Sequence, residues 1–285
     1  MLDKADVELF IKRDDLLDPA LGGNKWRKLK YNLLVAQQSN QNTLLTFGGA
    51  WSNHIYATAA AGQLLGFNTI GIIRGERPKQ FSTTLEYARD CGMQLKFISR
   101  EQYRSKDSET FLQSLENELG NFYTIPEGGS NVLALKGVKE IIDEINIDFD
   151  YITCACGTGA TLAGLACGLT SKQKATGFAV LKGGDFLKTD VNHLLSDANI
   201  KPEGRWDLET GYHFGGYAKT DKTLFEFIIR FKNEFNIELD AVYTGKMFYG
   251  LFDQIKQGAF KPGTTIVALH TGGLQGNTGF PALKM

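Results

Sequence analysis

Very little net charge is carried by this chain: 31 lysines and arginines stand against 32 aspartates and glutamates, a formal charge of -1. That balance removes the electrostatic footing on which nucleic-acid and anionic-membrane partners rest. No apolar run approaches the length that spans a bilayer, and the opening Met1-Leu-Asp-Lys-Ala-Asp6 has none of the apolar core of a secretory signal. The expected compartment is therefore the cytoplasm. Cysteines number only four, Cys91, Cys154, Cys156 and Cys167. Cys154-Ala-Cys156 lies in an apolar, strand-like run without a matching Cys or His pair elsewhere. The spacing argues against zinc and makes the two thiols small apolar groups on one strand face. No metal is expected. Histidine is equally scarce, and His54 by itself, one of four, is a weak signal for acid-base work.

What is present is an ordinary globular composition, 42% hydrophobic and 22% charged, over 285 residues. That length buries a sizeable core and forms one large or two modest domains. Periodicity predicts strands over 7–12, 43–47, 69–74, 94–99, 122–125, 151–156, 175–181, 208–213 and 264–269. Between them it predicts helices over 25–38, 52–65, 82–90, 108–119, 133–145, 160–169, 185–198, 221–235 and 245–257. Gly66 suits a C-terminal cap of the second helix. Strands alternating with helices of this length imply parallel sheets covered on both faces. No short repeat is found, so two α/β units packed together are expected rather than a solenoid.

In such sheets ligands gather at the carboxyl ends of strands, and four strand ends carry unusual loops: Gly48 to His54, Glu127 to Asn131, Gly157 to Thr161, and His270 to Gly273. Gly157-Thr158-Gly159-Ala160-Thr161 brings backbone N–H groups and two hydroxyls to a helix start, which suits a phosphate monoester; the alternative is a tight strand-to-helix turn. The spacing of its glycines fits neither a dinucleotide fingerprint nor a Walker loop. Ser52-Asn53-His54 also opens a helix. Its polar groups read as caps, or as holders of a substrate carboxylate or a cofactor ring oxygen.

One further stretch, Leu21-Gly22-Gly23-Asn24-Lys25-Trp26-Arg27-Lys28-Leu29, has two glycines that permit a tight turn, an Asn that can cap, and Lys25 in the first turn of the helix. Partial positive charge at a helix N-terminus disfavours an ammonium there and favours the neutral amine, more so where the site is dry. A neutral amine is a nucleophile towards aldehydes. The plain alternative is a surface lysine in a basic helix start. A phosphate site without a nucleotide motif, joined to a nucleophilic lysine, points to pyridoxal phosphate.

Five motifs occur in order across nearly the whole chain: Gly22-Gly23-Asn24-Lys25-x-Arg27-Lys28-Leu29, Ser52-Asn53-His54, Gly157-Thr158-Gly159-Ala160-Thr161-x-Ala163-Gly164, Tyr243-Thr244-Gly245-Lys246, and His270-Thr271-Gly272-Gly273. On them the chain resembles the family of 1-aminocyclopropane-1-carboxylate deaminase and D-cysteine desulfhydrase, pyridoxal-phosphate enzymes of the tryptophan synthase β-like fold (fold type II). The resemblance implies a smaller α/β domain over 30–122 and a larger, phosphate-binding one made of 1–29 and 123–285. It implies that Lys25 ties the cofactor covalently and later acts as base at the substrate's α-carbon. Gly157 to Thr161 would hold the phosphate with Lys28 nearby, Asn53 would face the ring oxygen, and Thr271 would lie near the pyridine nitrogen.

On the substrate side the resemblance places Ser52 near the carboxylate or cyclopropane ring and Tyr243 over the reacting side chain; Asn53 and His54 are expected at the same pocket, and Trp51, a departure from the family, brings a bulky ring to it. A homodimer acting on a small amino acid is implied as well. Within the family the cyclopropane deaminase reads Ser-Asn-Gln and follows its tyrosine with a glutamate that bonds the pyridine nitrogen. Here the turn reads Ser-Asn-His54 and the tyrosine is followed by Thr244, as in the D-cysteine enzymes. A hydroxyl beside the ring supports a weaker electron sink than a carboxylate, adequate for expelling a thiol. The expected reaction is β-elimination giving pyruvate and ammonia, with cyclopropane ring opening to 2-oxobutyrate as the alternative. A third reading, from another class, is a protein that holds the cofactor without turnover. Ile55-Tyr56-Ala57 and a short chain depart from the family's usual pattern.

Overall fold

The computed structural model describes residues 2–18, 21 and 23–283. In chain order its elements are α1 (Leu2–Ala5), β1 (Val7–Arg13), α2 (Asn24–Gln38), β2 (Thr43–Gly48), α3 (Asn53–Leu65), β3 (Asn68–Arg74), α4 (Thr83–Asp90), β4 (Gln94–Ile98), α5 (Arg100–Tyr103) and α6 (Glu109–Leu119). They continue with β5 (Tyr123–Ile125), α7 (Val132–Asp143), β6 (Tyr151–Cys156), α8 (Ala160–Ala166), β7 (Lys174–Ala179), α9 (Phe186–Asp197), β8 (Arg205–Glu209), α10 (Lys222–Phe235), α11 (Thr244–Lys256) and β9 (Thr264–His270). The two α/β units expected from the alternation are there as two sheets, one of five strands ordered β1-β9-β6-β7-β8 and one of four ordered β4-β3-β2-β5. Every strand pairing is parallel, and β2, β3 and β6 are buried almost from end to end, as strands covered on both faces must be.

Strand order decides where a ligand can sit. In the smaller sheet the chain runs outward from β2 through β3 to β4 and then returns to the other side with β5. In the larger it runs from β6 through β7 to β8 and returns with β9. The order therefore reverses between β2 and β5 and between β6 and β9, leaving a crevice at the carboxyl ends of each pair. The four glycine-rich loops follow these four strands.

Helix starts are set by local chemistry. Ser52 accepts a hydrogen bond from the Ile55 N–H at 3.3 Å, Ser82 from Leu85 at 3.2 Å, Asn131 from Ala134 at 3.0 Å and Asp221 from Leu224 at 2.9 Å. Gly66 ends α3 in the left-handed region, as expected. Asn24 differs from its expectation. It lies inside α2, the cap is Gly23, and no side-chain cap bond forms, because the Asn24 amide is turned to Thr161 Oγ1 at 3.0 Å. Gly22 lies outside the described residues.

The strand expected over 208–213 is instead Arg205–Glu209, and 210–219 is a loop with Phe214, Gly215, Gly216 and Ala218 all at positive φ. That backbone cannot continue a sheet. The four-stranded sheet also takes in Tyr123–Ile125, beyond the residue-122 edge expected for the smaller unit. Two short helices, Leu2–Ala5 and Arg100–Tyr103, were not foreseen. No helix among the described residues is long and apolar enough to cross a membrane.

Helices α2, α7 and α8 pack at close range because glycines face their neighbours. A Cβ on Gly137 of α7 would lie 2.0 Å from the Arg27 carbonyl oxygen, and one on Gly164 of α8 would lie 2.5 Å from the Val138 side chain. Backbone cannot yield as a side chain does. Gly137→Ala is therefore expected to cost about 1–3 kcal/mol of unfolding free energy, despite the better helix propensity of alanine, read as a lowered urea midpoint at unchanged slope.

Candidate active site

The two crevices open into one cleft of about 1090 Å³ between the sheets. Helix α2 delivers Lys25 and Lys28 to it. Gly23 makes this possible: its φ is +54°, and a Cβ there would lie 2.3 Å from the Thr271 carbonyl oxygen, so only glycine lets the helix start dock on the end of β9. The Asn24 N–H donates to that carbonyl at 3.3 Å. Arg27, 4% exposed, fixes the roll of the helix by donating to both carboxylate oxygens of Asp14 at 3.2 Å and to Glu144 Oε2 at 2.7 Å. The hydrogen bond from Arg27 holds the Glu144 carboxyl down to about 2.

Lys25 and Lys28 are three residues apart on one helix face and share no carboxylate partner among the described residues. Lys25 keeps some surface open to the cleft, yet the protein packed around its amine lowers its pKa well below the ordinary lysine value, with the Lys28 charge acting in the same direction. Lys28 is itself pushed down to about 8 by burial. Burial and like charge thus both weaken the hold of the Lys25 amine on its proton, with the helix start acting in the same sense. Behind Lys28 sit Cys154 and Cys156, their sulfurs 3.9 Å apart. The neighbouring thiol and burial raise the Cys154 pKa, and both side chains are buried like the small apolar groups expected of them.

Opposite the lysines, the Gly157 to Thr161 loop enters α8 through Gly159, which has φ +78°. Gly157, Thr158, Gly159 and Thr161 line the cleft, whereas the Ala160 side chain is buried in the helix. A Cβ on Gly157 would come within 3.0 Å of the Tyr243 ring, so the glycine also admits that ring. Tyr243 packs edge-on against Tyr217, centroids 6.0 Å apart, and its hydroxyl donates to the Tyr217 hydroxyl at 3.3 Å. Burial raises both phenol pKa values, which keeps them protonated.

From the smaller sheet come Trp51, Ser52, Asn53 and His54. Asn53 Oδ1 accepts from Gln275 Nε2 at 3.0 Å, which ties α3 to the loop after β9, and Thr271 in that loop faces the cleft. His54 is 2% exposed. The Thr46 hydroxyl donates to the Ile125 carbonyl, so His54 Nε2–H is the donor to Thr46 Oγ1 at 2.8 Å. Its Nδ1 then keeps a lone pair with no partner among the described residues. Burial, with Lys25 and Lys28 nearby, lowers the His54 pKa well below its ordinary value.

Thr244 departs from its expected place beside the ring. It is fully buried behind the cleft wall, its hydroxyl donating to Asp240 Oδ1 at 2.7 Å and accepting from the Asp240 N–H at 2.8 Å. The reason is capping: Asp240 also accepts the N–H groups of Val242, Tyr243 and Thr244 at 2.7–2.9 Å, which closes the turn into α11. Asp240 and Tyr217 line the cleft and were missed in the sequence. An Asp four residues before a helix-starting Thr is a readable capping signal, while Tyr217 sits in an irregular loop with no motif. Arg74 and Lys106, on the rim, were missed as well.

Residues 1–272 match the family described as pyridoxal-phosphate dependent enzyme. The bifunctional D-cysteine desulfhydrase/1-aminocyclopropane-1-carboxylate deaminase of Arabidopsis thaliana, described as mitochondrial, is 34% identical over 95% of this chain and 73% of its own length. A Pyrococcus horikoshii protein provisionally named 1-aminocyclopropane-1-carboxylate deaminase is 33% identical over 95% of this chain and 86% of its own. A crystal structure described as an ACC deaminase homologue superposes with a TM-score of 0.85 at 31% identity, covering 97% of this chain and 87% of the other.

Because His54 resists protonation when folded but not when unfolded, the unfolded state binds the extra proton as pH drops. Stability attributable to His54 is therefore full above pH ~6.5 and falls below it by up to about 1.4 kcal/mol per pH unit. His54→Gln is expected to flatten the fall in urea-derived stability between about pH 6.5 and 5; an unchanged slope contradicts the assignment.

Proposed function

We propose that this chain, which belongs to the family of pyridoxal-phosphate dependent enzymes, is a lyase that eliminates a thiol or similar group from the β-carbon of a small amino acid. Its own residues fit the cofactor. A Lys25 amine of lowered pKa suits the aldehyde, and the Gly157 to Thr161 loop with Lys28 suits the phosphate. Asn53 suits the ring oxygen and the Thr271 hydroxyl the pyridine nitrogen. The cofactor supplies an electron-withdrawing ring conjugated to the substrate's α-carbon.

The remaining tasks fall to the protein. Ser52 Oγ accepts from Ile55 N–H, which leaves its own proton free to be donated to a substrate carboxylate at the start of α3. Trp51 and His54 border the same pocket. The Lys25 amine, uncharged, takes the α-proton. Tyr243 donates to Tyr217, so the Tyr217 hydroxyl has its proton available for the departing sulfur.

The observation that carries elimination over ring opening is position 244. A threonine stands there, and it is spent on Asp240, whose oxygens already accept three N–H groups and this hydroxyl. The ring would then face the hydroxyl of Thr271, a weaker support for the electron sink than a carboxylate. Ring opening of the cyclopropane acid is the second reading, favoured by the names of the relatives. The proposal extends to a smaller domain over 30–122, its sheet completed by β5 from just beyond that range, with the remainder as the larger, and to a cytoplasmic homodimer. Sedimentation of the holoenzyme at twice the 31.5 kDa chain mass checks the dimer.

Purified protein is expected to absorb above about 400 nm, as a Schiff base of the cofactor does, and borohydride is expected to fix the cofactor on Lys25. In Lys25→Ala no label should survive denaturation; label elsewhere removes the assignment. With D-cysteine, sulfide and pyruvate are expected to form faster than 2-oxobutyrate forms from the cyclopropane acid. 2-Oxobutyrate without sulfide would make ring opening the activity, and cofactor binding with neither product would leave a protein that holds the cofactor without turnover.

A further inference from the structure

Lys246 is an expensive residue in its place. It lies in the first turn of α11, where the helix end carries partial positive charge, and it is 1% exposed among Met247, Phe248 and the aromatic core around them. A methionine of similar length would bury there without desolvating a charge. Its amine is held by main chain alone: Nζ donates to the carbonyls of Gly216 at 2.7 Å, His213 at 2.9 Å and Val180 at 3.5 Å. Burial pushes the amine down to about 8, with Asp240 opposing.

The carbonyls belong to a loop that does not hold its own shape easily. Phe214 and Ala218, neither of them glycine, have φ near +50°, and Gly215 and Gly216 are at positive φ beside them. Such backbone persists only where its surroundings over-determine it. Within the loop, Gly216 N–H donates to the His213 carbonyl and Lys219 N–H to that of Gly216, so the segment curls around a single cation. The next residue is Tyr217, whose hydroxyl meets Tyr243 in the cleft. Tyr243 and Lys246 open the same helix, three positions apart. One helix start thus carries both Tyr243 and the cation that fixes its partner.

We propose that Lys246 is a positioning residue of the active site: by gathering the carbonyls of Val180, His213 and Gly216 it holds the 213–219 loop so that Tyr217 stands against Tyr243 in the cleft. The role rests on the elimination reading, because Tyr217 is the group there assigned to meet the departing atom. The loop geometry itself is independent of which substrate reacts.

The test is a double-mutant cycle on the cofactor-loaded protein. Lys246→Met is expected to lower kcat for D-cysteine by on the order of tenfold to a hundredfold, with KM and the melting temperature little changed. In a Tyr217→Phe background the same substitution should change kcat less than about twofold, because its effect passes through that tyrosine. Amide exchange, which needs no turnover, should quicken by at least about tenfold over 213–219 in Lys246→Met and not over α7. Equal losses in both backgrounds, or an unaltered exchange rate in the loop, would overturn the proposal. Were D-cysteine not a substrate at all, the exchange result alone would decide the loop's dependence on Lys246.

Discussion

Everything chemical in this protein depends on one docking contact, the N-terminus of α2 against the end of β9. Gly23 touches the Thr271 carbonyl where any side chain would collide, and Asn24 reaches from the same turn to Thr161 on the far side of the crevice. The contact joins three loops that lie far apart in sequence. It also fixes the direction of the first helical turn, so that Lys25 and Lys28 enter the cleft rather than solvent. Arg27, locked to Asp14 and Glu144 on the opposite face, prevents the helix from rolling.

The electrostatics follow from that placement. Two lysines on one helix face, with no carboxylate against either among the described residues, repel one another in a setting that already disfavours charge. In water such a pair would be unremarkable; in a cleft walled by two buried sheets it lowers the Lys25 pKa well below the ordinary lysine value. Asp240, a carboxylate on the cleft wall, is occupied by the start of α11. Burial acts on the phenols in the matching sense: it raises the pKa of Tyr243 and of Tyr217, so both keep their protons, while it lowers that of Lys25.

Much of this was legible beforehand because it is local. Helix starts at Ser52, Ser82 and Asp221 follow from side chains that satisfy N–H groups three residues on, and parallel sheets follow from the alternation of buried strands with helices. The misreadings share a cause. Asn24 was taken for a cap and Thr244 for a ring contact because sequence shows which hydrogen bonds a side chain can make, and not which of two competing partners lies within reach. The strand expected over 208–213 lies instead at Arg205–Glu209, because the residues that follow turn into a loop whose His213 and Gly216 carbonyls accept from a lysine thirty residues away.

The sequence by itself determined the alternation of elements, the four glycine-bearing strand ends and the place of Lys25 in the first turn of a helix, since each rests on backbone preference or on the chemistry of one residue. Only the tertiary structure decided that the four loops share a cleft, that Asp240 consumes Thr244, and that Tyr217 stands against Tyr243. Those facts depend on strand order and on contacts between segments up to hundreds of residues apart, and neither periodicity nor spacing along a chain encodes which strand will lie beside which.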